Sequence, residues 1–103
     1  MNEVFYYNDL FDIYGEILTD KQKEYFKDYY FDNLSYGEIA EKNNVSRNAV
    51  FKQLKMATDK LEELEKKVGI YQTFQKISKT IEKVDDENVK KELRDLLDST
   101  FSK

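Results

Sequence analysis

Two helix-start signals lie close together in the middle of this chain, separated by a short polar stretch. Ser35 and Glu38 have the spacing of a capping box, in which the two side chains satisfy each other's free backbone N–H groups. Ser46 is a second candidate N-cap. Asn43 and Asn44 precede it, and asparagine tolerates the left-handed backbone of a sharp helix exit. The sequence therefore predicts two helices joined by a tight turn.

The remainder of the chain also favours helices. Its 103 residues include no proline and only three glycines, the residues that most disfavour a helix interior. Apolar residues recur at spacings of three and four from Tyr7 to Leu18 and again over residues 70–84. We therefore expect an all-α fold, a single domain of about five to six helices over residues 1–103.

Residues 34–54 meet the requirements of a helix-turn-helix at the centre of this domain. The small side chain of Ala40 allows two helices to cross closely. Three apolar residues are expected to fill the crossing: Ile39, Val45 and Val50. An ordinary helical hairpin does not explain Ala40 together with the paired caps. We place the helix-turn-helix core at residues 34–54, and the long recognition helix with the C-terminal helices at residues 47–100.

The recognition helix carries the most regular apolar pattern in the chain. Gaps of four and three residues alternate along this heptad seam, which consists of Val50, Leu54, Ala57, Leu61, Leu64 and Val68. Gly69 then predicts the end of the helix. The seam is explained by a helical hairpin that turns at Gly69, or by a homodimer, since helix-turn-helix proteins commonly pair to bind two half-sites. We expect a homodimer, with the seam packed internally and the aromatic N-terminal face between subunits.

The first turns of the recognition helix would present the contacting groups if this helix entered a DNA major groove. These candidate DNA-binding residues are Ser46, Arg47, Asn48, Ala49, Phe51, Lys52 and Lys55. Arginine donates two hydrogen bonds to guanine, and asparagine bonds adenine or a phosphate. Alanine contacts a thymine methyl. Lysines hold phosphates. Each of these side chains is also compatible with a plain solvated surface.

Phe51 is the unusual member of this set. An exposed phenylalanine on a DNA-reading face is useful only at a methyl group or a sugar edge. We therefore expect Phe51 to be buried against another part of the protein. Such burial would cover part of the DNA face and direct the helix-turn-helix towards protein contacts.

Charge is distributed unevenly along the chain. The formal net charge is −4, and residues 1–34 are predominantly acidic. Over residues 45–58, by contrast, the charged residues are Arg47, Lys52 and Lys55, all basic. A typical DNA-binding protein has further basic residues outside its recognition helix. Two hypotheses follow: a dimeric DNA-binding regulator, and a protein or ribonucleoprotein interaction module that binds no DNA.

The residue types that are missing exclude most enzyme classes. The chain has no histidine and no cysteine, which removes the commonest general base and the commonest metal ligands. We expect no enzymatic activity, no metal or other cofactor and no small-molecule substrate. The N-terminus lacks a basic start followed by an apolar run, and no stretch approaches the ~18 apolar residues of a membrane span. We therefore expect a cytoplasmic protein.

Several motifs carry a resemblance to known bacterial proteins. They are LTDKQ at 18–22, YYFDNLS at 29–35, GEIAEK at 37–42, NVSRNAV at 44–50 and LEELEKKVGI at 61–70. The central motifs resemble region four of bacterial sigma factors, the promoter-reading helix-turn-helix. Over nearly its whole length the chain resembles the YlxM family of bacterial helix-turn-helix proteins.

The resemblance to the YlxM family implies a DNA-binding regulator linked to the signal recognition particle pathway. Its partners would be DNA and components of that pathway. Under the second hypothesis, the chain modulates the targeting machinery without binding DNA. Phe51 and Gln53 depart from the sigma-factor pattern, which has basic or apolar residues at these places.

Overall fold

Residues 3–101, the part of the chain that the computed structural model describes, contain six α-helices. They are α1 (Glu3–Tyr14), α2 (Asp20–Phe26), α3 (Tyr36–Asn43), α4 (Arg47–Val68), α5 (Ile70–Ile81) and α6 (Glu87–Phe101). The expected all-α fold is confirmed, while residues 1–2 and 102–103 of the expected domain lie outside the described part. None of these six helices has the length and apolar character needed to cross a membrane.

The helix-start signals form the caps that the sequence predicts. The Ser35 hydroxyl accepts from the Glu38 backbone N–H at 3.1 Å, and the Ser35 backbone N–H donates to the Glu38 carboxylate at 2.9 Å. Thr19 and Gln22 form an equivalent box that starts α2. Ser46 caps α4 through its hydroxyl. These local hydrogen bonds fix where α2, α3 and α4 begin.

Two left-handed residues end the helices at the predicted places. Asn44 has a φ of 55° and closes α3, which allows the chain to reverse into α4 within a few residues. Gly69 has a φ of 73° and closes α4. Because glycine has no β-carbon, it adopts this conformation without the steric cost that other residues carry.

The chain after α2 widens into a π-helical turn, Lys27–Phe31. The Asp32 backbone N–H donates to the Lys27 carbonyl at 3.0 Å, five residues back along the chain. Asp28 is only 4% exposed in this turn, and its carboxylate lies 3.0 Å from the ammonium of Lys42 on α3. This ion pair fastens the turn to the helix-turn-helix.

Helix α4 is shared by both clusters of the core. Its first half packs in one cluster with Tyr25, Ile39 and Ala40, and its second half packs in the other with Leu10 and Phe26. The α4 residues buried in these clusters are Val50, Leu54, Ala57 and Leu61. The heptad seam is therefore mainly a core stripe, contacted by α1, α2 and α3.

The helical hairpin that follows the long helix is formed by α5 and α6. Arg94 of α6 bonds the Glu82 carboxylate and lies 3.5 Å from the Ser78 hydroxyl near the end of α5. Ile81 of α5 and Leu97 of α6 are buried, and the two helices pack against each other. A hairpin of α4 against α5, turning at Gly69, is wrong as the explanation of the seam because α1 to α3 already cover it.

The start of α5 is held by two side chains from other helices. The Glu65 carboxylate accepts from the Tyr71 backbone N–H at 2.9 Å and from the Tyr14 hydroxyl at 2.7 Å. The Tyr14 hydroxyl in turn accepts from the Ile70 backbone N–H at 3.0 Å. Burial raises the pKa of Tyr14, and its hydrogen bond to Glu65 raises it further. The neutral phenol therefore remains the donor at physiological pH.

Candidate nucleic-acid interface

Helices α3 and α4 cross through the small and branched residues that the sequence indicated. Ile39 and Val50 are fully buried at the crossing, and Ala40 is 5% exposed. The Val45 backbone N–H donates to the Ala40 carbonyl at 3.0 Å, which closes the turn. The Val45 side chain is 37% exposed, so the expectation that it fills the crossing is wrong. The turn is closed by this backbone hydrogen bond and does not need the Val45 side chain.

The seven candidate residues lie together on the first turns of α4 and at its N-cap. We call this set the recognition surface: Ser46, Arg47, Asn48, Ala49, Phe51, Lys52 and Lys55. All but Ala49 are exposed, and Ala49 is half-buried. Because Val50 and Leu54 turn into the core, the recognition surface faces away from it. The Ser46 hydroxyl already serves as the cap acceptor for the Ala49 backbone N–H at 3.0 Å.

Arg47 lies over the first turn of α3. A β-carbon on Gly37 would be 3.0 Å from Nε of Arg47 and 3.1 Å from Nη2, closer than a side chain normally allows. Glycine at this position therefore leaves room for the guanidinium. Among the described residues, 3–101, Arg47 has no ion-pair partner, so its charge remains available to a ligand.

The two lysines of the recognition surface differ in their surroundings. Lys55 lies 3.5 Å from the carboxylate of Asp59 one turn further along α4, and both side chains are well exposed. Exposed pairs of this kind contribute at most about 1 kcal/mol, so a phosphate can displace the carboxylate. Lys52 forms no ion pair within the part of the chain that the structure describes.

Phe51 is not buried, contrary to the expectation from the sequence. Its side chain is 46% exposed, and its ring forms a T-shaped contact with the ring of Tyr36, with centroids 5.9 Å apart and an interplanar angle of 69°. Tyr36 stacks in turn on Tyr29 at 5.0 Å. Burial raises the pKa of Tyr36, and a hydrogen bond with Tyr29 adds to this effect. The aromatic neighbour is too small to cover the whole of Phe51.

Sequence reasoning missed two residues of this surface because they come from α3. Gly37 and Tyr36 lie in the first turn of α3, where they contact Arg47 and Phe51 respectively. The motif indicated that the two helices cross, but the contact between their first turns is seen only in the structure. The candidate interface therefore includes both helix starts.

The surroundings of the interface are not basic. Lys42 is the basic residue of α3, but its ammonium is bound to both carboxylate oxygens of Asp28, at 3.0 and 3.1 Å. That hydrogen bond is the main reason why the pKa of Lys42 is raised. Glu38 and Glu41 are exposed on the same helix. The positive charge open to a ligand is concentrated on α4, at Arg47 and Lys52.

The crossing of α3 and α4, with an exposed surface on the first turns of α4, defines a helix-turn-helix protein. The family described as "UPF0122: Putative helix-turn-helix protein, YlxM / p13 like" matches residues 1–99 of this chain. The chain belongs to this family, which confirms the resemblance drawn from its motifs.

Individual relatives carry the same family name. The chain is 47% identical to UPF0122 protein TTE1463 of Caldanaerobacter subterraneus over 73% of its own length and 64% of that relative. It is 41% identical to UPF0122 protein lin1916 of Listeria innocua, covering 85% of this chain and 80% of the relative. It is 43% identical to UPF0122 protein BH2485 of Halalkalibacterium halodurans, over 89% and 88% of the two chains.

Proposed function

We propose that this chain is a cytoplasmic DNA-binding regulatory protein that inserts the first turns of α4 into the DNA major groove. One observation carries the proposal: the recognition surface is exposed on a helix whose opposite face is buried in the core. A helix held in this way presents its polar face without rearrangement of the fold.

The shape of the interface favours duplex DNA over duplex RNA. The major groove of B-form DNA is about 12 Å wide and admits an α-helix. The major groove of A-form RNA is deep and too narrow for side chains to read. A single exposed helix whose first turns carry Arg47, Asn48 and Lys52 matches the first of these shapes.

Each residue of the recognition surface has a role that follows from its chemistry. Arg47 donates two hydrogen bonds to guanine, and Asn48 bonds adenine or a phosphate. Lys52 and Lys55 hold phosphates, Lys55 after leaving Asp59. Arg47 has to turn away from Gly37 to reach a base, and no ion pair among the described residues opposes that movement.

The test is a titration of random-sequence duplex DNA with the protein over a salt series, from about 50 to 200 mM. Affinity should fall as salt rises, because phosphate contacts release counterions. Lys52→Ala should weaken binding to all sequences and reduce the slope of log affinity against log salt by about 0.9. Arg47→Ala should also weaken binding.

The matched control is Lys66→Ala, which removes the same charge from the exposed surface near the far end of α4. This variant should bind DNA as the wild type does if the first turns of α4 form the interface. Absence of binding by the wild type at the lowest salt contradicts the proposal. An equal loss in the Lys52→Ala and Lys66→Ala variants also contradicts it, since only general charge would then matter.

The proposal includes pairing of two copies, because helix-turn-helix proteins bind two half-sites as dimers. The aromatic N-terminal face is used in part within the chain, where Tyr14 and Phe26 are core residues, although Phe5 and Phe31 stay exposed. The apolar side chains that stay exposed on the α5–α6 hairpin are Ile77, Val89 and Leu96. We assign the contact between copies to this hairpin. Two packed helices leave part of their apolar surface open to solvent, and a second copy would cover it.

The acidic surroundings of α4 support a second candidate function. Glu38 and Glu41 are exposed beside the recognition surface, and Lys42 is held by Asp28. A protein or ribonucleoprotein of the signal recognition particle pathway would be the partner, as the family resemblance implies. Titration of purified protein and RNA components of that particle, in the buffer used for DNA, separates the two: binding to them without binding to DNA favours this candidate.

A further inference from the structure

We infer that Phe51 reads the methyl group of a thymine in the bound DNA. The inference rests on the proposed function and goes beyond it, because it names a base that the site selects. Three features of the structure carry it: the exposure of the ring, its place on α4, and the aromatic support behind it.

The ring lies where a groove-binding helix meets the bases. Phe51 is one helical turn after Arg47 and one turn before Lys55, and all three side chains are exposed. Under the proposed function Arg47 reaches a base and Lys55 a phosphate, so Phe51, between them on the same face of α4, enters the groove with them. Phe51 is 46% exposed, so a substantial part of the side chain is open to a ligand.

The ring is held before any ligand arrives. Tyr36 contacts Phe51 edge-on at 5.9 Å, and Tyr29 stacks behind Tyr36 at 5.0 Å. Such contacts between aromatic rings are worth about 0.5 to 1.5 kcal/mol beyond the area that they bury. A side chain that is already positioned gives up little conformational freedom on binding, so most of the apolar contact contributes to affinity.

The chemistry of the base edges offers one suitable target for such a ring. Base edges in the major groove present hydrogen-bond donors and acceptors, and the thymine methyl is the apolar group among them. A phenylalanine has no hydrogen bond to offer, so among the base edges it gains by covering this methyl, whereas a contact with a sugar edge carries no sequence preference. Ala49 was the sequence-based candidate for the same contact, but it is half-buried and its side chain is short.

A methyl-reading residue also makes the site select DNA over RNA. RNA carries uracil, which is thymine without this methyl group.

The test begins with selection of bound sequences from a random duplex DNA pool by the wild-type protein. The enriched duplex is then synthesised with each thymine replaced, one at a time, by uracil, which keeps every hydrogen bond and removes the methyl. We expect one replacement in each half-site to weaken binding about fourfold, the effect of losing one buried carbon group. The other replacements should have no effect.

Two variants connect this loss to Phe51. Phe51→Ala should bind the thymine duplex more weakly and should bind the thymine and uracil duplexes equally. Val68→Ala is the matched control, since Val68 is an apolar residue that is 56% exposed at the opposite end of α4. This variant should retain the fourfold preference. Circular dichroism of both variants verifies that the helices are intact.

The outcomes separate the inference from the proposed function. Salt-dependent DNA binding without any thymine preference overturns the inference and leaves the proposed function in place. A preference that survives in Phe51→Ala also overturns it, since another group would then read the methyl. Absence of binding to any duplex at low salt overturns both.

Discussion

Gly37 shows how a missing side chain can position a charged one. A β-carbon at this place would meet the end of the flexible Arg47 side chain, at 3.0 Å from Nε. We predict that Gly37→Ala displaces Arg47 and raises the free energy of unfolding by less than the gain of about 0.5 to 1 kcal/mol expected in the middle of a helix, because alanine is the better helix residue but position 37 lies in the first turn. Urea unfolding measures the stability.

The same substitution should strengthen DNA binding slightly in the wild-type background, because Arg47 has to leave its place over Gly37 to reach a base. In the Arg47→Ala background, Gly37→Ala should not change binding, because the displaced group is already absent. This double-mutant cycle isolates the coupling between positions 37 and 47. Equal changes in both backgrounds would mean that Gly37 acts independently of Arg47.

The Asp28–Lys42 pair gives a residue-scale prediction on pH. Hydrogen bonding to Asp28 raises the pKa of Lys42 above its ordinary value of 10.5. The stabilisation that the charged Lys42 provides is therefore complete below pH 10.5, and it is lost as the pH rises through the raised pKa of Lys42. Above about pH 10.5, the wild type should lose stability more steeply than Lys42→Met, as thermal unfolding at several pH values would measure.

A double variant controls for the buried carboxylate in this experiment. Lys42→Met leaves Asp28 without its counter-charge, which is unfavourable for a group that is only 4% exposed. Adding Asp28→Asn removes the unpaired charge and should recover part of the stability at neutral pH. If Asp28→Asn destabilises the Lys42→Met protein further, the loss in Lys42→Met does not come from an unpaired charge on Asp28.

Single residues were predictable from the sequence where the cause is local. The caps at Ser35 and Ser46 and the left-handed Asn44 depend on neighbours within a few positions, and all three are confirmed. The exposure of Phe51 was not predictable, because it depends on how much of the ring Tyr36 covers. That contact joins two helices and leaves no trace in local spacing.

At the scale of elements, the start of α5 depends on a side chain of α1. We predict that Tyr14→Phe lowers the free energy of unfolding by about 1 to 2 kcal/mol, because it leaves the Ile70 backbone N–H without its acceptor. Tyr7→Phe is the control, since it also removes a hydroxyl that donates to an α4 glutamate, Glu62, at 2.6 Å. Chemical denaturation should show the larger loss for Tyr14→Phe, and equal losses would contradict this role.

The order and approximate bounds of the elements followed from the sequence, but their pairing did not. The apolar period of α4 indicates that one face is buried, without indicating which helices bury it. The seam from Val50 to Leu61 packs on α1, α2 and α3, while α5 pairs with α6. The π-helical turn at Lys27–Phe31 was also missed, since the apolar spacing there is compatible with a regular helix.

At the scale of the whole molecule, the α5–α6 hairpin should decide the oligomeric state. Sedimentation equilibrium should give twice the chain mass of 12.4 kDa for the wild type. Leu96 is 63% exposed in the single chain. The variant Leu96→Lys should give the mass of one chain, because the lysine charge would be buried in the contact between copies. Met56→Lys is the control, as Met56 is 50% exposed on α4 and away from the hairpin. A monomeric wild type would contradict the assigned contact.

Binding of DNA at the first turns of α4 can be located residue by residue from amide chemical shifts. A nitrogen-15 labelled sample is titrated with a short random-sequence duplex at low salt. We expect the shift changes to concentrate on residues 46–55 and on the first turn of α3, at Tyr36 and Gly37. Changes confined to α5 and α6, or no changes at all, would contradict it.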